Sequence, residues 1–369
     1  MKTLFIFSCF LITFLISCTP EKSKKLDKSF FLKGNIQGTV SERVYLLRLE
    51  NDNFKIIDSS EINKGKFFFR DSSLRSPEML FLDFRKDKSR INFFAESSEI
   101  NIHADFIKSK NFIVTGSQTH NEFLKFKQNI TVFTNKLNDL SKQKQVALEN
   151  NDTLSLLGLD SLLFSVKSEQ TDFMKNYVVQ NKNSHISLFI SVLYLSKLLD
   201  YKELFSIYLN FPDSLEVSPY FFMLQKIIES QKKLENGKKA PDFSLPDLNN
   251  NKISLEMFTG KKTLICFWKP YSDPDLKYIK QYSDIFSKMT NKKNRLVFIS
   301  LDNDINNLNS LISTNKISGV HLYAENDSVF NSLIKDYDLK VGKKNILIDE
   351  TGYILKIGIS PIEYEKLFD

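Results

Sequence analysis

Cysteine is scarce in this sequence, with three residues in a chain of 369. Cys9 and Cys18 lie in or directly after the apolar N-terminal run, so the rest of the chain holds only Cys266. No two of the cysteines are spaced as a Cys-x-x-Cys pair. This scarcity excludes a disulfide-rich scaffold, and it excludes a disulfide within residues 19–369, which hold a single cysteine.

Long hydrophobic runs are also missing beyond the first 17 residues, so no later segment is predicted to span a membrane. Residues 1–17 combine the positive Lys2 with an apolar stretch that is too short for an ordinary spanning helix and is typical of a signal peptide. A polar stretch, "TPEKSKKLDK", follows Cys18. We therefore predict a signal peptide over 1–17 and a tether over 18–28.

The segment Leu15-Ile16-Ser17-Cys18 resembles the bacterial lipobox, in which the cysteine becomes the lipid-carrying first residue of the mature chain. The resemblance implies lipidation of Cys18 and membrane attachment through that lipid. The alternative is an ordinary signal peptide with an incidental cysteine. Thr19 does not resemble the aspartate that retains lipoproteins in the inner membrane, so we expect an envelope protein on the outer membrane, facing the periplasm.

No block of the sequence combines basic with interleaved aromatic residues, although the formal net charge is +7. The 51 Lys and Arg residues are spread along the chain, which favours a solvated surface over a nucleic-acid partner. The hydrophobic fraction of 42% and the 33 Phe residues are enough for packed cores, and the length predicts more than one domain.

Short β runs separated by turn residues fill the region 29–118 and predict an antiparallel sandwich or barrel. The runs are "FFLKGNI", "RVYLLRL", "FKIIDSS", "GKFFFRD", "MLFLDF", "INFFA", "EINIHA" and "FIVTG". The stretches "LKGNIQG", "DSSEINKGKFFF", "INFFAESSEINI" and "VTGSQTHNEF" resemble the DUF4369 domain of Bacteroidetes lipoproteins. That resemblance implies an architecture and no particular chemistry.

Helical periodicity replaces the β pattern over 119–236, where apolar residues recur three or four apart in five segments. Ser218 and Pro219 are typical of an N-cap and a first helical residue. This segment shows no catalytic pattern, and it is predicted to be a helical spacer or, alternatively, a partner-binding bundle.

Strands and helices alternate over 237–369 in the order β-α-β-α-β-α-β-β, which predicts a parallel core with a final antiparallel hairpin. This is a thioredoxin-like layout. The predicted fold class is therefore a multidomain chain with an N-terminal antiparallel β domain, a central α-helical segment and a C-terminal α/β thioredoxin-like domain.

The stretch "GKKAPDFSLPDLNNNKISLEMFTGKKTLICFW" resembles the start of the TlpA, ResA and AhpC/TSA-related group, in which a Trp-Cys-x-Pro-Cys turn follows the first core strand. Laid on that pattern, Ser272 and Asp275 replace the two cysteines. Farther on, "YDLKVGKKNILIDETG" resembles the family's segment before a later strand, and there Lys343 replaces the cis-proline. The positions that match or keep an aromatic character are Phe267, Trp268, Tyr271 and Pro274. The resemblance implies the fold, and the three replacements argue against the activity.

Disulfide exchange needs a thiolate and a second, resolving thiol, and Ser272 supplies neither. The four histidines are scattered, and His321 is predicted to lie in a strand of the sheet, which argues against a Ser-His hydrolase. Asp273 is predicted to be an N-cap, Pro274 the first helical residue and Asp275 a first-turn acid. Cys266 is predicted to pack in the core. No metal, cofactor or catalytic residue is expected.

Three hypotheses about function remain open. In the least specific of them, the C-terminal domain only stabilises or spaces the β domain, which does the binding. The other two give the C-terminal domain a role of its own. The first is a lipid-anchored pseudoenzyme that binds or scaffolds a protein or peptide of the envelope, with Trp268, Tyr271, Pro274 and Lys343 around a groove. The second is a thiol-disulfide oxidoreductase or peroxiredoxin-family enzyme that works through a single thiol or with another protein's cysteines. The sequence favours the first, and enzyme activity stays open.

Overall fold

A computed structural model describes residues 30–50, 53–71, 74–107, 111–150, 152–289, 294–339 and 345–367. The predictions for the signal peptide, the tether and the lipid on Cys18 lie outside these residues, as does the prediction for Lys343. None of the described helices is both long and apolar enough to cross a membrane.

The N-terminal region is a sandwich of two four-stranded sheets. Alternation sets its core: in the first strand, Phe30, Leu32, Gly34 and Ile36 are buried, while Phe31, Lys33, Asn35 and Gln37 are more exposed. The eight strands agree with the eight predicted runs. They are β1 (Phe30–Gln37), β2 (Arg43–Glu50), β3 (Asn53–Glu61), β4 (Lys66–Asp71), β5 (Glu78–Phe84), β6 (Ser89–Ala95), β7 (Glu99–Asp105) and β8 (Phe112–Thr115).

Pairing in the sandwich is antiparallel with one exception. One sheet has the order β4-β1-β7-β8 and the other β3-β2-β5-β6. Strands β1 and β7 run parallel, with Leu32 opposite Ile100 and Ile36 opposite Ala104. The first sheet is therefore mixed, a detail that the prediction of an antiparallel domain did not contain.

The central segment consists of five α-helices, as predicted, with two short 3₁₀ turns between them. The helices are α1 (Gln118–Glu149), α2 (Thr153–Gln180), α3 (His185–Leu193), α4 (Tyr201–Tyr208) and α5 (Pro219–Lys233). Side-chain oxygens of Ser117, Asp152, Ser184 and Asp200 cap the first four. Ser218 precedes α5 as predicted, but its hydroxyl makes no capping hydrogen bond.

The C-terminal region begins with a short hairpin and continues as an α/β domain with the predicted alternation. Its strands are β9 (Ser244–Pro246), β10 (Lys252–Ser254), β11 (Lys262–Trp268), β12 (Asn294–Ser300), β13 (Val320–Tyr323), β14 (Asn345–Ile348) and β15 (Ile354–Ile357). Its helices are α6 (Asp273–Lys288), α7 (Ile305–Asn315), α8 (Asp327–Asp336) and α9 (Pro361–Lys366).

The main sheet of this domain has the order β13-β12-β11-β14-β15. Strands β11, β12 and β13 are parallel, and β14 and β15 are antiparallel to their neighbours. Side chains of β11 alternate between two buried faces: Ile265 and Phe267 face the core that includes α8, while Cys266 and Trp268 face the core that includes α6. Because helices cover both faces, the central strand reads as a continuous apolar run.

Candidate functional site

The candidate site is the turn between β11 and α6, at the carboxyl end of the central strand of the sheet. In open α/β sheets ligands and reactive groups gather outside this edge. The strand ends at Trp268, and α6 begins at Asp273. The intervening turn is closed by a backbone hydrogen bond from Ser272 N–H to Lys269 C=O, with a length of 3.0 Å.

Ser272 is the N-cap of α6. Its backbone is extended (φ −108°, ψ 104°), and its hydroxyl oxygen accepts the backbone N–H of Asp275 at 3.4 Å. Asp273 and Pro274 therefore occupy the first two helical positions. The helix begins one residue earlier than predicted, and the prediction of Asp273 as the N-cap is wrong. The shift is physically easy, because a serine oxygen caps as well as a carboxylate and a proline needs no partner for an N–H in the first turn.

Asp275 is nearly buried, with 4% of its surface exposed. Its Oδ2 accepts the backbone N–H of Lys269 at 3.0 Å, so its carboxylate ties the start of the turn to the first turn of α6. The positive end of the helix also stabilises a negative charge at this position. The residue that replaces the second cysteine of the family pattern thus acts as a structural acceptor.

The predicted groove residues do not share one environment. Tyr271 is 67% exposed, and Pro274 is exposed as well. Trp268 is 1% exposed and packs in the core beneath α6. Its ring is therefore not offered to a ligand, and the groove hypothesis remains a prediction for Tyr271, Pro274 and Lys343, the last of which lies outside the described residues.

Cys266 is fully buried in the same core as Trp268, as predicted. Burial raises the pKa of the Cys266 thiol well above its ordinary value, because the thiolate would be charged in apolar surroundings. In this position the sulfur is protonated at physiological pH and has no access to solvent. The geometry suits a small core side chain and does not suit a nucleophile.

A buried polar cluster beneath the turn was not predicted from the sequence. Asn345 lies opposite Cys266 in the pairing of β14 with β11, and its Nδ2 donates to the hydroxyls of Tyr278 (2.6 Å) and Tyr282 (3.0 Å). The amide oxygen of Asn345 accepts the backbone N–H of Ile359 at 2.8 Å. The spacing of four between the two tyrosines in a helical pattern was the signal available in the sequence.

The cluster is built to stay neutral. Burial raises the pKa of Tyr282 to about 12 and raises that of Tyr278 further. Tyr282 donates its own proton to the carbonyl of Ile359 at 2.5 Å, so its hydroxyl is fully used. These groups tie α6 to β14.

His321 lies in β13, as predicted, and not at the turn. Its Nε2 is 3.1 Å from the carbonyl oxygen of Ile317, and its ring stacks on Phe298 with centroids 5.3 Å apart. Burial lowers its pKa. Among the described residues, His321 makes no hydrogen bond to Ser272, and no group of three or more metal-ligating side chains occurs.

The topology of the main sheet, with β11 central, a helix starting directly after it and helices on both faces, defines a thioredoxin-like α/β domain. Residues 236–357 match the AhpC/TSA family, and residues 30–123 match DUF4369, a domain of unknown function. The chain belongs to the thioredoxin-like thiol-disulfide oxidoreductase family.

Among the relatives, a thiol-disulfide oxidoreductase ResA from Bacillus anthracis is 30% identical over 150 residues, which cover 40% of this chain and 72% of that protein. A ResA from Bacillus cereus is 29% identical with the same coverage. Among solved structures, the thioredoxin domain of a thiol-disulfide oxidoreductase from Bacteroides vulgatus is 21% identical, with a TM-score of 0.34 over 37% of this chain and 99% of that one. A thiol-disulfide oxidoreductase from Bacteroides fragilis is 28% identical, with a TM-score of 0.28 over 33% and 91%.

Proposed function

We propose that the protein is a lipid-anchored protein of the cell envelope whose thioredoxin-like domain binds or scaffolds a protein or peptide and does not turn over disulfides. The observation that carries the proposal is the turn before α6. At the two positions that the family pattern gives to cysteines, the chain holds Ser272, which caps the helix, and Asp275, which is buried and bonded to Lys269.

The chemistry of these two residues supports the absence of redox turnover. A serine hydroxyl cannot form a mixed disulfide, and no base lies within hydrogen-bonding distance of Ser272 among the contacts of the described residues. Asp275 cannot resolve one. Cys266, the one thiol after residue 18, is buried and protonated, which also disfavours the alternative of a single-thiol enzyme.

The binding half of the proposal rests on what the turn exposes. Tyr271 and Pro274 lie at the solvent-facing start of α6 and offer an aromatic and a rigid apolar surface. Such residues suit shallow contacts with an extended peptide. Membrane attachment would come from lipid on Cys18, and the partner would be another envelope protein. The residues give no support to a nucleic-acid partner.

Thiol accessibility tests the catalytic half of the proposal. In native protein, we expect a maleimide reagent to leave Cys266 unlabelled, and to label it after unfolding in urea. Ser272→Cys is the matched control, because it places a thiol at the half-exposed N-cap and should be labelled in the native state. Native labelling of Cys266, together with reduction of insulin disulfides by the unchanged chain, would support the single-thiol enzyme instead.

Crosslinking in cells tests the binding half. We expect Tyr271→Ala to remove a crosslinked partner that the unchanged chain captures, and a second variant, Tyr271→Ala with Lys343→Ala, to remove it as completely or more so. Tyr353→Ala is the matched control, because this tyrosine is 45% exposed and lies in the hairpin before β15. If partners are the same in all variants, the turn is not a binding site.

A further inference from the structure

Helices α1 and α2 form a hairpin. The half of this hairpin nearest its connecting turn, formed by the end of α1 and the start of α2, is only two helices thick. Lys144 of α1 forms an ion pair with Asp160 of α2, which fixes the two helices side by side. The buried residues of this half, Leu140, Ala147 and Val166, lie outside the large core cluster that joins the rest of the helical segment. Any apolar surface on its outer side is therefore not covered by that core.

One outer face of α2 is apolar and exposed. Leu154 is 84% exposed, Leu157 73% and Phe164 76%, and the exposed Ser161 and Ser168 complete the same line. Successive members are three or four residues apart, which places all five on one face of the helix. We call these five residues the outer stripe.

The outer stripe lies opposite the residues that pack on α1. Leu156, Leu159, Leu163 and Val166 have the same spacing, and all four are buried or half-buried against the hairpin partner. The first half of α2 is thus apolar on two opposite faces, of which its own chain covers one. An exposed apolar face bordered by polar residues is typical of an interaction surface.

We propose that the outer stripe is a self-association surface, on which α2 of a second copy packs antiparallel about a two-fold axis at Ser161. Such an axis sets Leu157 beside Phe164 of the second copy, and Leu154 beside the small Ser168 of the second copy. Leu154 then packs against a small side chain, and Leu157 and Phe164 fill the space on either side of the two Ser161 residues at the axis. Such complementary packing is what a two-fold interface requires.

The charge of the region favours a second copy over other occupants. A two-fold interface places a patch against itself, so a charged patch would repel its own copy. From residue 153 to residue 166 the one charged side chain is Asp160, which Lys144 neutralises. A helix that binds a lipid surface carries Lys or Arg beside its apolar face, and the first such residue of α2 is Lys167.

The size of the stripe predicts a reversible dimer. From Leu154 to Ser168 it spans about 21 Å of helix. One helix pair of that length buries less than the roughly 800 Å² per partner of a standard stable interface. We therefore expect monomer and dimer to exchange, with dimer prevailing at high concentration or at a membrane.

Disulfide crosslinking at the proposed axis is the first test, carried out on the full chain in detergent. Ser161→Cys should form a covalent dimer under mild oxidation, because the axis brings the two copies of this position together. Ser168→Cys should not crosslink to itself, yet should do so when mixed with Leu154→Cys. The unchanged chain supplies the background crosslinking from its own cysteines.

Sedimentation of the same full-length proteins up to about 100 µM gives an independent readout, since weak interfaces need such concentrations. Leu157→Asp should shift the chain to monomer by placing like charges near the axis. Val132→Asp, at a 67% exposed position of α1, should leave the dimer intact. The proposal is overturned if the unchanged chain stays monomeric, if the dimer survives Leu157→Asp, or if the stripe residues are needed only for binding to lipid vesicles.

Discussion

Three titratable side chains of the thioredoxin-like domain, Cys266, Tyr278 and His321, are held in their neutral forms by burial. Burial moves the pKa of each group in the direction that removes charge. None of the three has an ionic partner among its hydrogen bonds. None of these three groups is therefore poised to act as an acid, a base or a thiolate nucleophile.

His120, at the start of α1, is also held in its neutral form, and this predicts a measurable dependence of stability on pH. Its Nδ1 accepts the backbone N–H of Phe94 at 3.3 Å, and burial lowers its pKa from 6.5 to about 4. Because the folded state prefers the neutral ring, its contribution is complete above pH 6.5 and is lost as pH falls towards 4. We expect protonation to cost about 3 kcal/mol of unfolding free energy.

Urea denaturation at several pH values would measure this cost as a difference between variants. His120→Gln should lose the pH-dependent part, so that its stability approaches that of the unchanged chain as the pH is lowered from 7 to 4. His103→Gln, at an exposed position of β7, should follow the unchanged chain throughout. Parallel curves for the unchanged chain and His120→Gln would contradict the predicted role.

At the scale of the element, the turn before α6 keeps a helix start and has no redox pair. If Ser272 is the N-cap, Ser272→Ala should reduce the free energy of unfolding by about 1 kcal/mol, because the N–H of Asp275 loses its side-chain acceptor. Ser272→Asn should retain most of the stability, because its side-chain oxygen caps equally well. Thermal unfolding of the two variants would separate the outcomes, and equal stability of Ser272→Ala and the unchanged chain would argue against the cap.

Local patterns predicted the elements but not every contact between them. Alternation in the sandwich and three-to-four spacing in the helices are encoded residue by residue, so strand and helix positions were accessible. The parallel pairing of β1 with β7 joins segments more than sixty residues apart, and no local pattern specifies it. The burial of Trp268 and the bonds of Asn345 likewise depend on how α6 closes over the sheet.

At the scale of the whole molecule, the hydrophobic cores do not follow the three regions that the sequence patterns predict. Met79 and Phe94 of the sandwich belong to the same core cluster as the helices α1 to α5, and the hydroxyl of Tyr220 in α5 accepts the backbone N–H of Met79 at 2.9 Å. The thioredoxin-like domain packs around two other clusters, one on each face of its sheet. The sandwich and the helices therefore share stabilising contacts that the C-terminal domain does not.

The arrangement of the cores predicts which regions lose stability when one core residue is replaced. Phe94 is fully buried, with its ring centroid 5.3 Å from that of Phe123 and 5.2 Å from that of Phe189. Phe94→Ala should cost about 3–5 kcal/mol and lower hydrogen-exchange protection in both the sandwich and the helical segment. Phe267→Ala, which removes a ring 4.8 Å from Tyr337, should lower protection in the C-terminal domain instead.

Hydrogen exchange followed by mass spectrometry reads both variants region by region. The shared core requires that strands β5 and β6 and helices α1 and α3 lose protection together in Phe94→Ala, because this side chain fills space between them. A sandwich that keeps full protection while the helices lose it would show that the two units are stabilised separately. In that case the helical segment would be a spacer whose loss leaves the β domain intact, and the contacts of Phe94 would contribute little across the boundary.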